Sequence, residues 1–338
     1  MLAGLLQEVS RSFYLTLRVL PSAVRRPIGL GYLLARATDT IADTELIPVS
    51  ERLSALAQLR ARILGQTQMP LNLSTLAAAQ GSAAAGVGTL AERRLLERIE
   101  AVVSTLDTLS LSDRGLVREV LITITSGQAL DLQRFGAATA AHPVALENQT
   151  ELDDYTYRVA GCVGKFWTQI CRTNLFPTAP LDEAALVADG IRYGQGLQLV
   201  NILRDLPKDL RQGRCYLPSD RLTAAGLRPV DLLEPTAEPK LRPLYCELLS
   251  VADAHLEAGW RYTCALPTNQ RRVRLGCAWP VLIGWQTTAR LRTTNVLDAS
   301  QRVKISRADV YQILASTIWR LPFRAAWARL PERFRAGR

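Results

Sequence analysis

The sequence GQGLQLVNILRDLPKD, which spans residues 194–209, decides the fold of this chain. Gln198, Asn201 and Asp205 follow one another at steps of three and four, so a helix would place them on one face. Asp209 continues the same spacing. The apolar residues that flank the stripe are Leu199, Ile202 and Leu203. The stretch therefore predicts a helix whose polar stripe is set among apolar residues rather than on a wholly polar surface.

A second stretch, GYLLARATDTIAD at residues 31–43, repeats this pattern. Its polar residues, again at steps of three and four, are Tyr32, Arg36, Asp39 and Asp43. Each stretch thus carries two carboxylates one helical turn apart, with an arginine shortly before them. Like charges at that spacing repel by about 0.2–0.5 kcal/mol, and burying them unpaired costs far more. A cation is therefore expected beside each pair.

A hard divalent cation is the first candidate for both pairs. Mg²⁺ prefers oxygen ligands, keeps several waters and is usually held by one or two carboxylates together with substrate phosphates. The predicted metal ligands, for Mg²⁺ or Mn²⁺, are Asp39, Asp43, Asp205 and Asp209. The alternative is that each pair lies on a solvated helix face. A solvated helix face would explain a single acid pair well. It is a poor explanation for two pairs, because each has apolar surroundings and an adjacent arginine.

Composition narrows the class of protein. The chain has 338 residues, 48% of them apolar, which is enough for one large domain or two ordinary ones. A formal net charge of +10 and a pI near 9.6 indicate an anionic partner: nucleic acid, a phosphate-bearing substrate or a membrane surface. Nucleic acid is disfavoured because no basic run with interleaved aromatic residues occurs. The chain has six cysteines without a C-x-x-C pair and only two histidines, so it has few candidate zinc ligands. The cysteine pattern indicates reduced thiols in a cytoplasmic protein.

The pattern along the chain predicts an all-α fold without membrane-spanning helices. The N-terminus lacks the long apolar core of a secretory signal, and no apolar run approaches the ~20 residues that a membrane span needs. Strand signals are poor throughout, whereas helical periodicity dominates. Helices are expected at residues 49–64, in two stretches over 90–135 that break near 110–113, at 244–266 and from about Pro280 onward. Residues 223–243 are rich in proline and predict a loop.

Small residues interrupt the helical segment YTYRVAGCVGKFW at residues 155–167. Ala160, Gly161 and Gly164 lie close together there, although glycine costs a helix up to about 1 kcal/mol relative to alanine. Such a cost suggests a close approach either by another backbone or by a ligand, and both alternatives are open.

Two short segments contain candidate anion-binding groups. Ser10-Arg11-Ser12-Phe13 is typical of a helix N-cap, but its hydroxyls and guanidinium would equally suit the oxygens of a diphosphate. The segment RQGRCYLP, which follows the central helix, predicts a turn that brings Arg214 back over the second acid pair.

The C-terminal segment, residues 308–338, mixes arginines with aromatic residues. The aromatics beyond the middle of this segment are Trp319, Phe323, Trp327 and Phe334. Arginines with aromatics on a helix are typical of contact with an anionic membrane interface. Packing of the aromatics on the body of the protein, with solvated arginines, explains the same pattern. Both interpretations are open.

Five of these stretches together resemble the squalene/phytoene synthase family. They are SRSF, RATDTIAD, YTYRVAGCVG, QLVNILRDLPKD and GRCYLP, and they occur in the order expected of that family and span most of the chain. The resemblance implies a single all-α isoprenoid-synthase domain over residues 1–338, with a central cavity. It also implies head-to-head condensation of two prenyl diphosphates through a cyclopropyl diphosphate, with Mg²⁺ between the diphosphate and the aspartates.

The resemblance also implies roles for individual residues. The four aspartates would bind the metal, Tyr155 would be catalytic, and Phe13 would form an aromatic wall. The implied substrate contacts are Arg11, Ser12, Arg36, Gln198, Asn201, Arg204 and Arg214. Two positions depart from the squalene synthase pattern, because Ala42 and Lys208 stand where an extra acid is common.

Two short signals favour the squalene synthase branch of the family. The first motif opens with Asp39-Thr40 rather than with two aspartates, and Val303-Lys304-Ile305 resembles a loop that helps to hold NADPH. We therefore expect two farnesyl diphosphates to give presqualene diphosphate, and NADPH, bound through Lys304, to reduce it to squalene. The alternatives are an enzyme that stops at presqualene diphosphate or makes dehydrosqualene, hydroxysqualene or phytoene, and an inactive membrane-associated assembly protein.

Overall fold

The fold is built almost entirely from helices, as the periodicity predicts. The computed structural model describes residues 2–10, 13–80, 90–298 and 300–335. Within these ranges the chain forms two compact units, Met1–Gly136 with Gln169–Pro177, and Ala137–Thr168 with Thr178–Arg338. The all-α prediction is confirmed, whereas the single domain over residues 1–338 stays a prediction.

The regular elements that the structure describes in the first unit are all helical. Its helices are α1 (Leu2–Val9), α2 (Phe13–Val19), α3 (Ser22–Ala42), α4 (Val49–Leu64), α5 (Ser74–Ala79), α6 (Leu90–Glu97), α7 (Ile99–Ser104) and α8 (Leu111–Phe135). The predicted break near residues 110–113 is confirmed, because the Ser110 side chain caps α8 by accepting a hydrogen bond from the Asp113 amide at 3.1 Å. In α3, Leu30, Leu34 and Ile41 are buried at helical spacing, which fixes its polar side.

The second unit contains the central helix. Its helices are α9 (Gln149–Thr156), α10 (Cys162–Leu175, of which residues 169–175 belong to the first unit), α11 (Glu183–Arg211), α12 (Ser219–Ala224), α13 (Glu238–Ala265), α14 (Arg271–Leu291), α15 (Arg307–Arg320), α16 (Arg324–Ala328) and α17 (Leu330–Arg335). A π-helix, Tyr157–Gly161, joins α9 to α10. The 29 residues of α11 include the whole of the central stretch from Gly194 to Asp209.

Two helix starts in the second unit differ from the prediction. α13 begins at Glu238 rather than at 244. Pro239 is tolerated in its first turn, where the missing N–H has no partner to lose, and the helix continues through Pro243. α14 begins at Arg271 and runs through Pro280, so the predicted start at Pro280 was wrong. Buried neighbours such as Ala278 and Trp285 offset the cost of a proline inside a helix, about 3 kcal/mol. Between α12 and α13, residues 229–233 and 235–237 form 3₁₀ turns.

A short parallel strand pair was not anticipated. β1 (Val144–Leu146) pairs with β2 (Arg214–Pro218), and Val144 lies opposite Arg214. Arg214 is therefore in a strand rather than in the predicted turn, and the turn is Gly213, whose φ of +79° suits glycine. A Cβ at Gly213 would lie 2.5 Å from the Thr139 backbone nitrogen. Three residues are too few for β1 to show alternation in the sequence.

The small residues of the 155–167 segment contact another backbone. A Cβ on Gly164 would lie 1.8 Å from the carbonyl oxygen of Gly190, and one on Gly194 would lie 2.2 Å from the carbonyl oxygen of Ala160. The π-helix and the start of α10 thus cross α11 at backbone contact. This crossing supports the packing alternative and fixes α11 at its glycine-rich middle.

No helix in the described ranges is both long enough and apolar enough to cross a bilayer.

Thiol chemistry offers a direct check on the burial pattern. All six cysteines are free, and the buried ones are Cys162, Cys171, Cys215 and Cys277. Burial raises the pKa of Cys162, Cys215 and Cys277 to about 12, and the thiolate is the reactive form. We expect a maleimide at pH 7.5 to label exposed Cys264 and half-buried Cys246 before the four buried cysteines, although partial burial raises the pKa of Cys264 and slows its reaction. All six should react after denaturation. Rapid labelling of four or more thiols in the native protein would contradict this packing.

Candidate active site

The first acid pair lies at the C-terminal end of α3. Asp39 is in its last turn, and Asp43 is the C-cap residue, whose amide donates a hydrogen bond to the Asp39 carbonyl at 2.9 Å. The C-terminus of a helix carries the negative end of the helix dipole, so carboxylates are unfavourable there. Helix stability therefore does not account for the position of this pair.

Arg36 contacts the first acid pair and a third carboxylate. Its guanidinium donates to Asp39 Oδ2 at 2.7 Å and forms a second ion pair with Glu92 of α6, which is buried. Burial lowers the pKa of Arg36, but the carboxylates of Asp39 and Glu92 outweigh that effect and raise it. The guanidinium of Arg36 therefore pairs with two carboxylates at once. The two ion pairs hold it in place, and its positive charge neutralises Asp39 only in part.

Asp39 is the most strongly perturbed acid of this end of α3. Burial, and next the charge of Asp43, raise the pKa of Asp39 from 3.8 to about 7, against the opposing effect of Arg36. Protein surrounds the carboxylate on most sides, yet the side chain keeps 43% of its surface open, so a cation from solvent can reach it. Carboxylate oxygens that are open to solvent on one side suit Mg²⁺, which keeps several waters and is usually held by one or two carboxylates.

The raised pKa of Asp39 predicts how stability changes with pH. The folded protein holds the proton up to about pH 7, whereas the unfolded chain releases it near 3.8, so this contribution is complete below 3.8 and is lost as the pH rises through 7. In a chelator, we expect the wild type to lose more unfolding free energy than Asp39→Asn between pH 5 and pH 8. Urea unfolding at both pH values measures this, and equal losses in the two proteins would contradict the assignment.

The second acid pair lies near the end of α11 in the other unit. Arg204 donates two hydrogen bonds to the adjacent Asp205, from Nε at 2.9 Å and from Nη2 at 2.6 Å. The hydrogen bond to Asp205 is the main reason why the pKa of Arg204 is raised. Asp205 and Asp209 are half-buried, and Asn201 is exposed. This end of α11 therefore presents an oriented arginine–carboxylate pair, with a second carboxylate one turn further on.

Tyr155 lies against the strand that carries Arg214. Its ring stacks on that of Tyr216 with centroids 4.5 Å apart and an angle of 24° between the planes. Arg214 lies two residues before Tyr216 on β2, whose pairing with β1 becomes irregular after Cys215. The unpredicted strand pair thus places the phenol of Tyr155 against the strand that carries Arg214.

The metal prediction fits the donors that each unit supplies. Among the described residues no cluster of three or more histidines, cysteines or acids forms a complete cage. What the two helices offer is one carboxylate pair each, all with oxygen donors, which suits an ion that keeps waters and binds substrate phosphates. Metal binding itself stays a prediction.

Comparison with known proteins identifies the family. The squalene/phytoene synthase family model matches residues 6–309. The chain belongs to this family. Its members are prenyltransferase-type enzymes that bind isoprenyl diphosphates.

The individual relatives have low sequence identity to this chain, but the similarity covers most of its length. The presqualene diphosphate synthase of Zymomonas mobilis is 28% identical over 251 residues, which cover 74% of this chain and 70% of that protein. The bifunctional lycopene cyclase/phytoene synthase of Blakeslea trispora is 27% identical over 92% of this chain, which spans 48% of that protein's length. A solved structure described as TcSQS with the ligand BPH1237 superposes with a TM-score of 0.76 at 21% identity, covering 99% of this chain and 96% of that one. This last likeness concerns the fold.

Several predicted site residues of this squalene/phytoene synthase family member lie outside the described residues or have no described contact with either acid pair. Arg11 and Ser12 lie outside the described residues, and Phe13 is the first residue of α2. Gln198 is half-buried on α11. Lys304 is exposed between α14 and α15, where its carbonyl accepts a hydrogen bond from Arg290 at 2.8 Å. Their proposed roles stay predictions.

Two residues beside the first acid pair were missed in the sequence. Glu92 is the second partner of Arg36, and the buried Arg52 of α4 donates to the Ala42 carbonyl at 2.6 Å, at the end of α3. Both occupy apolar-stripe positions of amphipathic helices: Arg52 lies one turn before Leu56, and Glu92 one turn before Leu96. A charged residue in such a stripe is the signal that would have found them.

Proposed function

We propose that this protein condenses two farnesyl diphosphates head to head to give presqualene diphosphate. Membership of the squalene/phytoene synthase family supports the reaction class, and a relative named presqualene diphosphate synthase supports the product. The observation that carries the proposal is Asp39, a partly neutralised and accessible carboxylate beside Asp43 and a fixed arginine. A diphosphate bound through a divalent cation would balance that charge.

Residues of each unit have a proposed task. Asp39, Asp43, Asp205 and Asp209 would hold Mg²⁺ or Mn²⁺, which supplies positive charge to neutralise the departing diphosphate. Arg36, Arg204 and Arg214, with Gln198 and Asn201 and the N-terminal Arg11 and Ser12, orient the diphosphates. The guanidinium of an arginine can donate two parallel hydrogen bonds to the oxygens of one phosphate.

The carbon chemistry needs a protected cation and one proton transfer. Departure of the first diphosphate leaves an allylic cation, which the double bond of the second substrate attacks, and loss of one proton closes the cyclopropane. The phenolic Oη of Tyr155 passes that proton to the departed diphosphate, which is the final base. Stacking on Tyr216 holds the ring in place for this transfer. Phe13 contributes an aromatic face, which stabilises a nearby cation.

We further propose that NADPH reduces presqualene diphosphate to squalene on this protein. The Asp39-Thr40 opening of the first motif and the exposed ammonium of Lys304 support this second step. A lysine can pair with a cofactor phosphate as a mobile point charge. The competing products are presqualene diphosphate itself, dehydrosqualene, hydroxysqualene and phytoene.

Product analysis tests both proposals. We expect farnesyl diphosphate and Mg²⁺ alone to give presqualene diphosphate, and added NADPH to convert it to squalene. Lys304→Ala should raise the NADPH concentration needed about tenfold, because one charge-assisted contact is lost, and leave diphosphate release unchanged. Lys240→Ala, an exposed lysine on α13, is the matched control.

Three outcomes would count against these assignments. The same hydrocarbon with and without NADPH would refute the reductive step and leave a dehydrosqualene- or phytoene-type synthase. No diphosphate release from farnesyl diphosphate or its longer homologues would refute the condensation and favour a non-catalytic assembly protein. Full turnover in excess chelator would refute the metal.

A further inference from the structure

The C-terminal segment divides into an inner and an outer face. Trp327 and Phe334 are buried, with 2% and 0% of their surfaces exposed, and Ile313 of α15 is buried as well. Trp319 and Phe323, by contrast, are 73% and 59% exposed. The buried pair of aromatics therefore packs on the body of the protein, as the packing interpretation expects. The exposed pair is the one that the membrane interpretation concerns.

The inner face is held by specific contacts. Trp279 Nε1 donates to Thr317 Oγ1 of α15 at 2.9 Å, and Arg290 of α14 pairs with Asp309 at 2.8 Å. The guanidinium of Arg274 lies 5.0 Å from the Trp327 ring centroid. These contacts fix the rotation of α15, so the direction of its outer face is a property of the fold.

The outer face is an apolar stripe. Tyr311, Ile318, Trp319 and Phe323 form it, and we call these four residues the outer stripe. All are more than half exposed, at 67%, 56%, 73% and 59%. Tyr311, Ile318 and Trp319 follow helical spacing on α15, and Phe323 lies three residues beyond its end. Together they make up four of the twelve large apolar side chains that are exposed in the described ranges. Such clustering within thirteen residues differs from the scattered single exposures that are normal on a protein surface.

The segment that carries the outer stripe is strongly basic. Residues 302–338 contain nine basic and two acidic residues, a net +7 of the chain's +10. Arg320 and Arg324 alternate with Trp319 and Phe323, and the Arg320 guanidinium lies 5.8 Å from the Trp319 ring. Apolar side chains rimmed by arginine suit a surface that is apolar inside and anionic outside.

We propose that the outer stripe binds the surface of a bilayer containing anionic lipid. Aromatic rings insert at the level of the headgroups, and the arginines pair with lipid phosphates. A second copy of this chain fits the stripe less well, because two segments of net charge +7 would face each other. This inference does not depend on which product the enzyme makes.

Vesicle binding by the full-length protein tests the proposal. We expect the wild type to co-float with vesicles of phosphatidylcholine and phosphatidylglycerol, and to bind pure phosphatidylcholine weakly. Trp319→Ser with Phe323→Ser should lower binding to the mixed vesicles about tenfold or more, because two inserted aromatic side chains are lost. Arg320→Glu with Arg324→Glu should remove the preference for anionic lipid.

A matched control removes exposed apolar surface elsewhere. Leu111 and Met69 of the first unit are 82% and 73% exposed, so Leu111→Ser with Met69→Ser should leave vesicle binding unchanged. Thermal melting of each variant verifies folding, and turnover in detergent should stay at the wild-type level. Undiminished binding by the aromatic variant, or no binding by the wild type, would overturn the proposal. So would a wild-type dimer that the aromatic variant converts to a monomer, because a second copy would then cover the stripe.

Discussion

Replacing Asp39 by asparagine is expected to lower kcat with farnesyl diphosphate by about 10²–10³-fold, the usual cost of losing one electrostatic group at a transition state. The amide keeps the shape of the carboxylate but loses the charge that a divalent cation requires. Asp205→Asn should have a similar effect and should also release Arg204 from its two hydrogen bonds. Diphosphate release at saturating Mg²⁺ measures both variants.

Two arginine-paired aspartates serve as controls for this experiment. Asp189 lies on the same helix as Asp205 and pairs with Arg261, and Asp107 of the first unit pairs with Arg114. Both pairs lie away from the acid motifs in the sequence, so Asp189→Asn and Asp107→Asn should keep turnover within about twofold, as surface ion pairs contribute little. Wild-type turnover in Asp39→Asn would rule out the first acid pair as a metal site.

Gly164→Ala is expected to destabilise the second unit by about 3 kcal/mol or more, at the upper end of what over-packing costs. The new Cβ would lie 1.8 Å from the Gly190 carbonyl oxygen, which is backbone and cannot rotate away. Gly194→Ala should act in the same way through the Ala160 carbonyl oxygen. Because both substitutions separate the π-helix from α11, turnover should fall with stability. Urea unfolding monitored by tryptophan fluorescence measures the change.

The matched control for these variants is expected to raise the free energy of unfolding rather than lower it. Gly115 is an exposed residue of α8, and a Cβ there would meet nothing within 4 Å. Gly115→Ala should therefore stabilise the protein by about 0.5–1 kcal/mol through helix propensity alone. If Gly164→Ala were also stabilising, the two helix backbones would not be in contact at this point.

Local periodicity was sufficient to predict the main helices. Asp205 and Asp209 lie on one continuous helix, and Asp39 and Asp43 lie at the end of another, because spacing of three and four is a property of the chain itself. The small residues at Gly161 and Gly164 indicated a close approach for a similar reason, since glycine in a helix has a known cost. These predictions needed no partner segment.

Features that depend on distant segments were not predictable. The pairing of Val144 with Arg214 joins residues that are far apart in the sequence, and β1 is too short to show alternation. The contact of Arg36 with Glu92 is likewise non-local. The start of α14 ahead of Pro280 depends on burial, which can outweigh the cost of a proline. In each case tertiary packing decided the outcome.

Ligand binding at the first acid pair, at the negative end of α3, would couple the half-life of the protein in a cell to its ligands. Repulsion there weakens the empty fold, and any cation or bound diphosphate that relieves it adds to the free energy of unfolding by mass action. At a ligand concentration of 100 times its Kd this gain is about 2.7 kcal/mol. Proteases act on the transiently unfolded fraction, so the half-life of the enzyme in a cell should lengthen when its prenyl diphosphate supply is plentiful and shorten when that supply fails.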